Sequence, residues 1–215
     1  MSSEPIIISF LQEKGGAGKT TMATNIAYGI KAKGLKVLLV DSDPQGSARD
    51  WNEANGGALI PVVGLDRETL ATDIKAVASS YDIVVIDGAP QLTKMASAGV
   101  KASDIVLIPV QPSPYDVWAS AHLVNLIKDR QQVTNGVPRV AFIISRAIKR
   151  SILSREVNES LEEYKLPIFK NYTTQLVAYP TSALKGESVL DIKGSEAAKE
   201  IGAIVDEIFE EFLVI

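Results

Sequence analysis

Two lysines five residues apart, Lys14 and Lys19, bracket Gly15, Gly16, Ala17 and Gly18 in the stretch EKGGAGKTT. Glycine at three of those four positions lets the backbone curl until successive N–H groups converge on one anionic point. The apolar run IIISF (6–10) precedes this loop and a helical pattern begins near Gly18, so a helix N-terminus adds unpaired amides and a favourable dipole. Lys19 can then reach β- and γ-phosphates, and Thr20, followed by Thr21, offers a hydroxyl to Mg2+. The stretch predicts a site for ATP or a similar triphosphate. A glycine-rich turn with a chance lysine is the plainer alternative. The order strand, loop, Gly-Lys-Thr, helix argues against it.

Three carboxylates follow apolar runs: Asp41 and Asp43 after VLLV, and Asp87 after IVVI. Acids at the carboxyl ends of parallel strands lie where a ligand of the glycine loop would lie. A buried carboxylate left unpaired costs several kcal/mol, roughly, so a cation or a polar network is needed beside it. The bland reading of Asp41 and Asp43 is a turn around Pro44 helped by an N-cap.

The elements that must position these groups are legible in the hydropathy pattern. IIISF (6–10), KVLLV (36–40), LIPVV (59–63), DIVVI (82–86), DIVLIPV (104–110) and VAFII (140–144) read as strands, apolar at nearly every position because both faces are covered. Residues 18–33, 66–79, 91–102, 116–132 and 151–164 read as helices, with Gly34 ending the first. The last stretch, EIGAIVDEIFEEFLVI, carries apolar residues at helical spacing. The alternation predicts an α/β, doubly wound, mostly parallel sheet with helices on both faces, in one domain over 1–215.

Composition narrows the chemistry. The 215 residues include no cysteine, which excludes disulfides, thiolate metal sites and cysteine-ligated clusters, and the single His122 makes a histidine-based metal centre unsupported. The net charge of -4 disfavours polyanion binding through the average field, so any such contact needs a local basic patch. No signal peptide and no apolar run of ~20 residues is present, which predicts a cytoplasmic protein.

The loop departs from G-x-x-x-x-G-K-[ST] at its first glycine, where Glu13 stands. As K-G-G-x-G-K-T-T it resembles the deviant Walker A motif of the ParA/MinD superfamily, most closely the small single-domain partition ATPases. The resemblance implies that residues 14–21 bind ATP, and that Lys14 crosses a homodimer interface to the phosphates held by the partner subunit. Such a cation would stabilise charge developing on the γ-oxygens and the bridging oxygen, and would make hydrolysis depend on dimerisation. By the same resemblance Lys14, Lys19 and Asp43 are catalytic, Asp43 orienting the attacking water. Thr20, Asp41 and Asp87 hold Mg2+ and its water shell. Gly88, Ala89 and Pro90 match the switch after the second acidic strand end. VLIPVQPSPYDVWA (106–119) resembles a strand and loop near the nucleotide and dimer surface.

Beyond about residue 120 the resemblance is thin. Family members bind non-specific DNA through basic residues in this part, and only as the ATP dimer, where a doubled patch neutralises twice the phosphates. Lys149, Arg150 and Arg155 are the candidates here, with Lys185, Lys193 and Lys199 behind them. A solvated helix face is the alternative for each. The acidic tail argues against a membrane anchor, and the loop's position near residue 14 leaves no N-terminal DNA-reading domain ahead of it. The expected activity is an ATP-dependent, nucleoid-associated dimer that segregates a plasmid or chromosome with a ParB-like partner. Alternatives are the same engine moving a protein compartment or receptor array through another adaptor, a phosphate-loop metabolic enzyme, or a membrane-recruited regulator.

Overall fold

The computed structural model describes residues 4–90, 93–148 and 152–213, without the side chains of residues 93 and 152–155. Six strands form one sheet: β1 (Ile6–Phe10), β2 (Val37–Asp41), β3 (Val62–Gly64), β4 (Ile83–Asp87), β5 (Ile105–Val110) and β6 (Arg139–Ile144). Their order is β3-β2-β4-β1-β5-β6 and every pairing is parallel. All six expected strands are present, and the expected mostly parallel sheet is parallel throughout.

Alternate residues serve opposite faces, which is why the strands are apolar at nearly every position. Ile8, Phe10, Leu39, Val85 and Leu107 pack under α1 (Lys19–Ala32) and the last helix, α9 (Glu196–Phe212). On the other face Leu38, Val40, Val84 and Ile86 meet α3 (Leu70–Val77) and α4 (Thr93–Ala102). Beside them Val106, Ile108, Val140 and Phe142 meet α6 (Ala121–Val133) and α7 (Ile152–Glu162).

The acidic last helix is not a surface appendage. Its N-cap Ser195 accepts from the Ala198 N–H at 3.0 Å, and Ala197, Ile201, Ile204, Val205 and Ile208 enter the core. Gly29 of α1 faces it so closely that an added Cβ would stand 2.7 Å from the Val205 Cγ2. Two of its acids bond to the body of the protein: Glu207 accepts from the Lys170 and Asn171 N–H groups at 2.8 and 2.9 Å, and Glu200 from the Thr174 N–H at 3.0 Å.

Two helices were not expected. In α2 (Ser47–Ala54), Ala48 and Trp51 are buried, and the Trp51 Nε1 donates to the Glu187 carbonyl at 3.2 Å. The other is α8 (Ala178–Leu184), which carries Pro180 in its first turn. The helix expected over 116–132 is instead two, α5 (Pro114–Ala119) and α6, meeting at Ser120.

Candidate nucleotide site

Parallel register brings the chemistry together. Asp41 stands opposite Asp87 across β2 and β4, and Phe10 stands opposite Asp87 across β1 and β4. The glycine loop therefore leaves β1 at the level of both strand-end carboxylates. Gly88 makes this approach: its N–H donates to the Phe10 carbonyl at 3.1 Å, and a Cβ there would lie 2.6 Å from that oxygen.

Residues 12–20 are braced from three sides. The Gln12 Nε2 donates to the Ser120 hydroxyl at 2.9 Å while its Oε1 accepts from the Glu13 N–H at 2.9 Å. The Gln111 Nε2 donates to the Gly16 carbonyl, and the Ser145 hydroxyl to the Ala17 carbonyl, each at 2.6 Å. Gly18 enters α1 with φ 98, a left-handed conformation that favours glycine. The first turn of α1 has no intrahelical acceptors for its N–H groups, so they remain available to an anion. Gln12, Gln111 and Ser145 were not picked out from the sequence, because glutamine and serine carry no motif of their own.

Lys19 is buried, and its ammonium donates to the Lys14 carbonyl at 3.2 Å. Burial lowers its pKa from the ordinary lysine value, while the nearby Asp87 and then Asp43 pull it back up. Lys19, Asp43 and Asp87 are thus within electrostatic reach of one another.

Asp87 is fully buried and neither carboxylate oxygen has a hydrogen-bond partner. Burial pushes its carboxyl up to about 7; the Thr20 hydroxyl opposes this, close enough to favour the charged form without completing a bond of ordinary geometry. Asp41 and Asp43 raise it further, and Lys19 lowers it. A buried carboxylate with two orphaned oxygens is the group a divalent cation would complete. Among the described residues no three acidic or histidine side chains converge on a metal position. Thr20, phosphate oxygens and water would supply the remaining ligands.

Asp41 is engaged differently from its expected role. Its Oδ1 accepts from the Asp43 N–H at 3.0 Å, and its Oδ2 from the Ala48 and Arg49 N–H groups at 3.1 and 3.0 Å, with the Arg49 Nε at 3.4 Å. It fastens the start of α2, so much of its capacity is spent within the protein and Asp87 is the carboxylate left for a cation. Asp43 is half-buried, its carboxylate accepts from the Gln45 N–H at 2.9 Å, and its carbonyl accepts from the Arg49 Nη2 at 2.9 Å.

A cleft opens beside the loop, lined by Gly18, Thr21, Met22, Arg146, Thr174 and Tyr179 among others. Arg146 brings a positive charge to this lining. Glu200 of α9 sets the wall, accepting from the Thr174 N–H at 3.0 Å and the Tyr179 hydroxyl at 2.7 Å. Burial, and then the bond to Glu200, push the Tyr179 hydroxyl well up, keeping it protonated. Lys149 and Arg150 lie outside the described residues, as does the Arg155 side chain; Lys185, Lys193 and Lys199 are exposed.

A family model described as an AAA domain matches residues 6–60 and 57–137. The maintenance of carboxysome distribution protein A of Halothiobacillus neapolitanus is 31% identical over 213 residues, covering 96% of this chain and 98% of the relative. This chain belongs to the ParA/MinD family of deviant Walker A ATPases. The protein of the same name from Gloeobacter kilaueensis is 35% identical over 203 residues, covering 91% and 89%. Among solved structures, a Cyanothece McdA variant in complex with ATP superposes with a TM-score of 0.76 over 97% of each chain, at 17% identity. In this ParA/MinD ATPase the braced loop, the buried Lys19 and Asp87 with its two orphaned oxygens lie together at the carboxyl ends of β1 and β4. Among the described residues no helix is long and apolar enough to cross a membrane.

Proposed function

We propose that this ATPase positions a protein compartment of the carboxysome type, moving over DNA as an ATP-closed dimer and resetting on hydrolysis. The observation that carries the cargo is the likeness, over nearly the whole of both chains, to two proteins named for carboxysome distribution. It favours the compartment alternative over the plasmid or chromosome first expected from the motifs. Those motifs belong to the engine, and the load is chosen elsewhere on the surface.

In this reading Lys19 and the amides of residues 15–21 bind the phosphates of ATP. Thr20 and Asp87 hold Mg2+, whose charge would be shared with the phosphates. Asp41 keeps the 43–49 segment in place so that Asp43 can orient a water, and Lys14 serves the partner subunit's triphosphate. The cleft beside Gly18 receives the nucleoside. Lys149, Arg150 and Arg155 supply the DNA contact of the closed dimer, and an adaptor protein, ParB-like in role, links it to the load. The working place is the nucleoid surface in the cytoplasm.

The deciding experiment removes the gene from its host and follows a labelled shell protein and a resident plasmid together. Compartments that cluster while plasmid inheritance stays normal support the assignment. Plasmid loss with evenly spaced compartments overturns it in favour of DNA cargo.

A further inference from the structure

Lys14 faces its own subunit. Its ammonium forms an ion pair with the Asp116 Oδ2, although the two residues are 102 apart in the chain. The two ends of this pair differ sharply, since the Asp116 side chain is 1% exposed and that of Lys14 38%. Asp116 is also fixed in place. Its N–H donates to the Ser113 carbonyl at 3.0 Å, and its carbonyl accepts from the Ser120 hydroxyl at 3.0 Å. That same hydroxyl receives Gln12 from the loop. The Asp116 Oδ1 is buried with no hydrogen-bond partner, so Lys14 is what compensates this carboxylate. When one member of such a pair leaves, the other is stranded as a buried charge.

We propose that Asp116 is the positioning residue of Lys14. It keeps the ammonium on its own subunit until the triphosphate of a second copy draws it across. This rests on the reading in which Lys14 serves the partner's ATP. Lys14 is on a flexible stem and can swing; Asp116, in a short helix tied to the loop, cannot follow. The opposing phosphates must therefore outcompete a buried carboxylate. A diphosphate, one phosphoryl group poorer, offers less charge to do so. The pair sets the threshold that separates the ATP state from the ADP state.

The test compares full-length wild type, Asp116→Asn, Lys14→Ala and the double variant by sedimentation over a range of protein concentrations, with Mg2+·ATP and with Mg2+·ADP. Asp116→Asn should dimerise in ATP at about tenfold lower protein concentration, the equivalent of about 1.4 kcal/mol, and should begin to dimerise in ADP. On the Lys14→Ala background the same substitution should change nothing, whereas a merely structural role for Asp116 would persist there. If Lys14→Ala dimerises and hydrolyses like wild type, the trans reading fails and this inference with it. If Lys14→Ala is defective while Asp116→Asn leaves the midpoint unchanged or raises it, the reading survives and Asp116 is not the positioning group. Should the Asn variant fail to fold, Asp116→Leu, with the same branching and no polar atom to satisfy, carries the same comparison.

Discussion

Asp87→Asn tests the electrostatics of the site without nucleotide. The wild-type carboxyl titrates at about 7 in the folded chain against an ordinary value of 3.8. Between those values the folded protein holds a proton that the unfolded chain has released. Stability therefore falls as pH rises through that window. About three pK units at about 1.4 kcal/mol each make the full loss about 4 kcal/mol, complete above the folded value. Asparagine cannot ionise, so the variant lacks this slope, although its buried amide adds a pH-independent cost of about 1–3 kcal/mol. The measurement is urea unfolding of both proteins with EDTA, from about pH 5 to about pH 8, where the difference in stability should shift toward the variant by about 1.4 kcal/mol per pH unit up to about 7. A difference that stays flat across that range would refute the burial argument for Asp87. Restoring Mg2+ with nucleotide near pH 8 should then stabilise the wild type and leave the variant nearly unmoved.

Lys19→Ala should reduce ATP affinity below detection in a fluorescent-nucleotide titration, because a buried ammonium is removed from beside the phosphates; retained affinity contradicts the loop assignment. Asp43→Ala should hydrolyse ATP poorly yet accumulate as an ATP-bound dimer, read by phosphate release alongside sedimentation. A monomer at saturating Mg2+·ATP counts against its water-orienting role. Gly88→Ala places a Cβ 2.6 Å from the Phe10 carbonyl oxygen, a clash with backbone expected to cost about 2–3 kcal/mol in urea unfolding. An unchanged midpoint would show that β1 and the loop tolerate separation from β4.

Much of the fold was legible because strands covered on both faces write themselves as short apolar runs. β3 is the exception in its bounds, starting at Val62 rather than residue 59, after Pro61, which has no N–H to give to a sheet. The helices α2 and α8 were not visible because distant partners hold them. Asp41 and Trp51 fix the first, and the Tyr179 bond to Glu200 ties down the second. That Lys19, Asp43 and Asp87 would lie near one another was legible because glycine loops and strand-end acids carry local patterns. Asp116 was not: inside QPSPYD it looks like a turn residue, and its meaning depends on Lys14, over a hundred positions earlier. The bonds from Asp41 to the Ala48 and Arg49 N–H groups go beyond the turn around Pro44 and N-cap that formed its plainer reading, because the helix they fasten was not visible.

The last helix covers α1 and, through Glu200, shapes the wall of the cleft beside Gly18. The recess beside Gly18, near the first strand, therefore depends on a helix far along the chain, because Glu200 holds Thr174 and Tyr179 in its wall. Loosening α9 would slacken that wall and uncover α1 together.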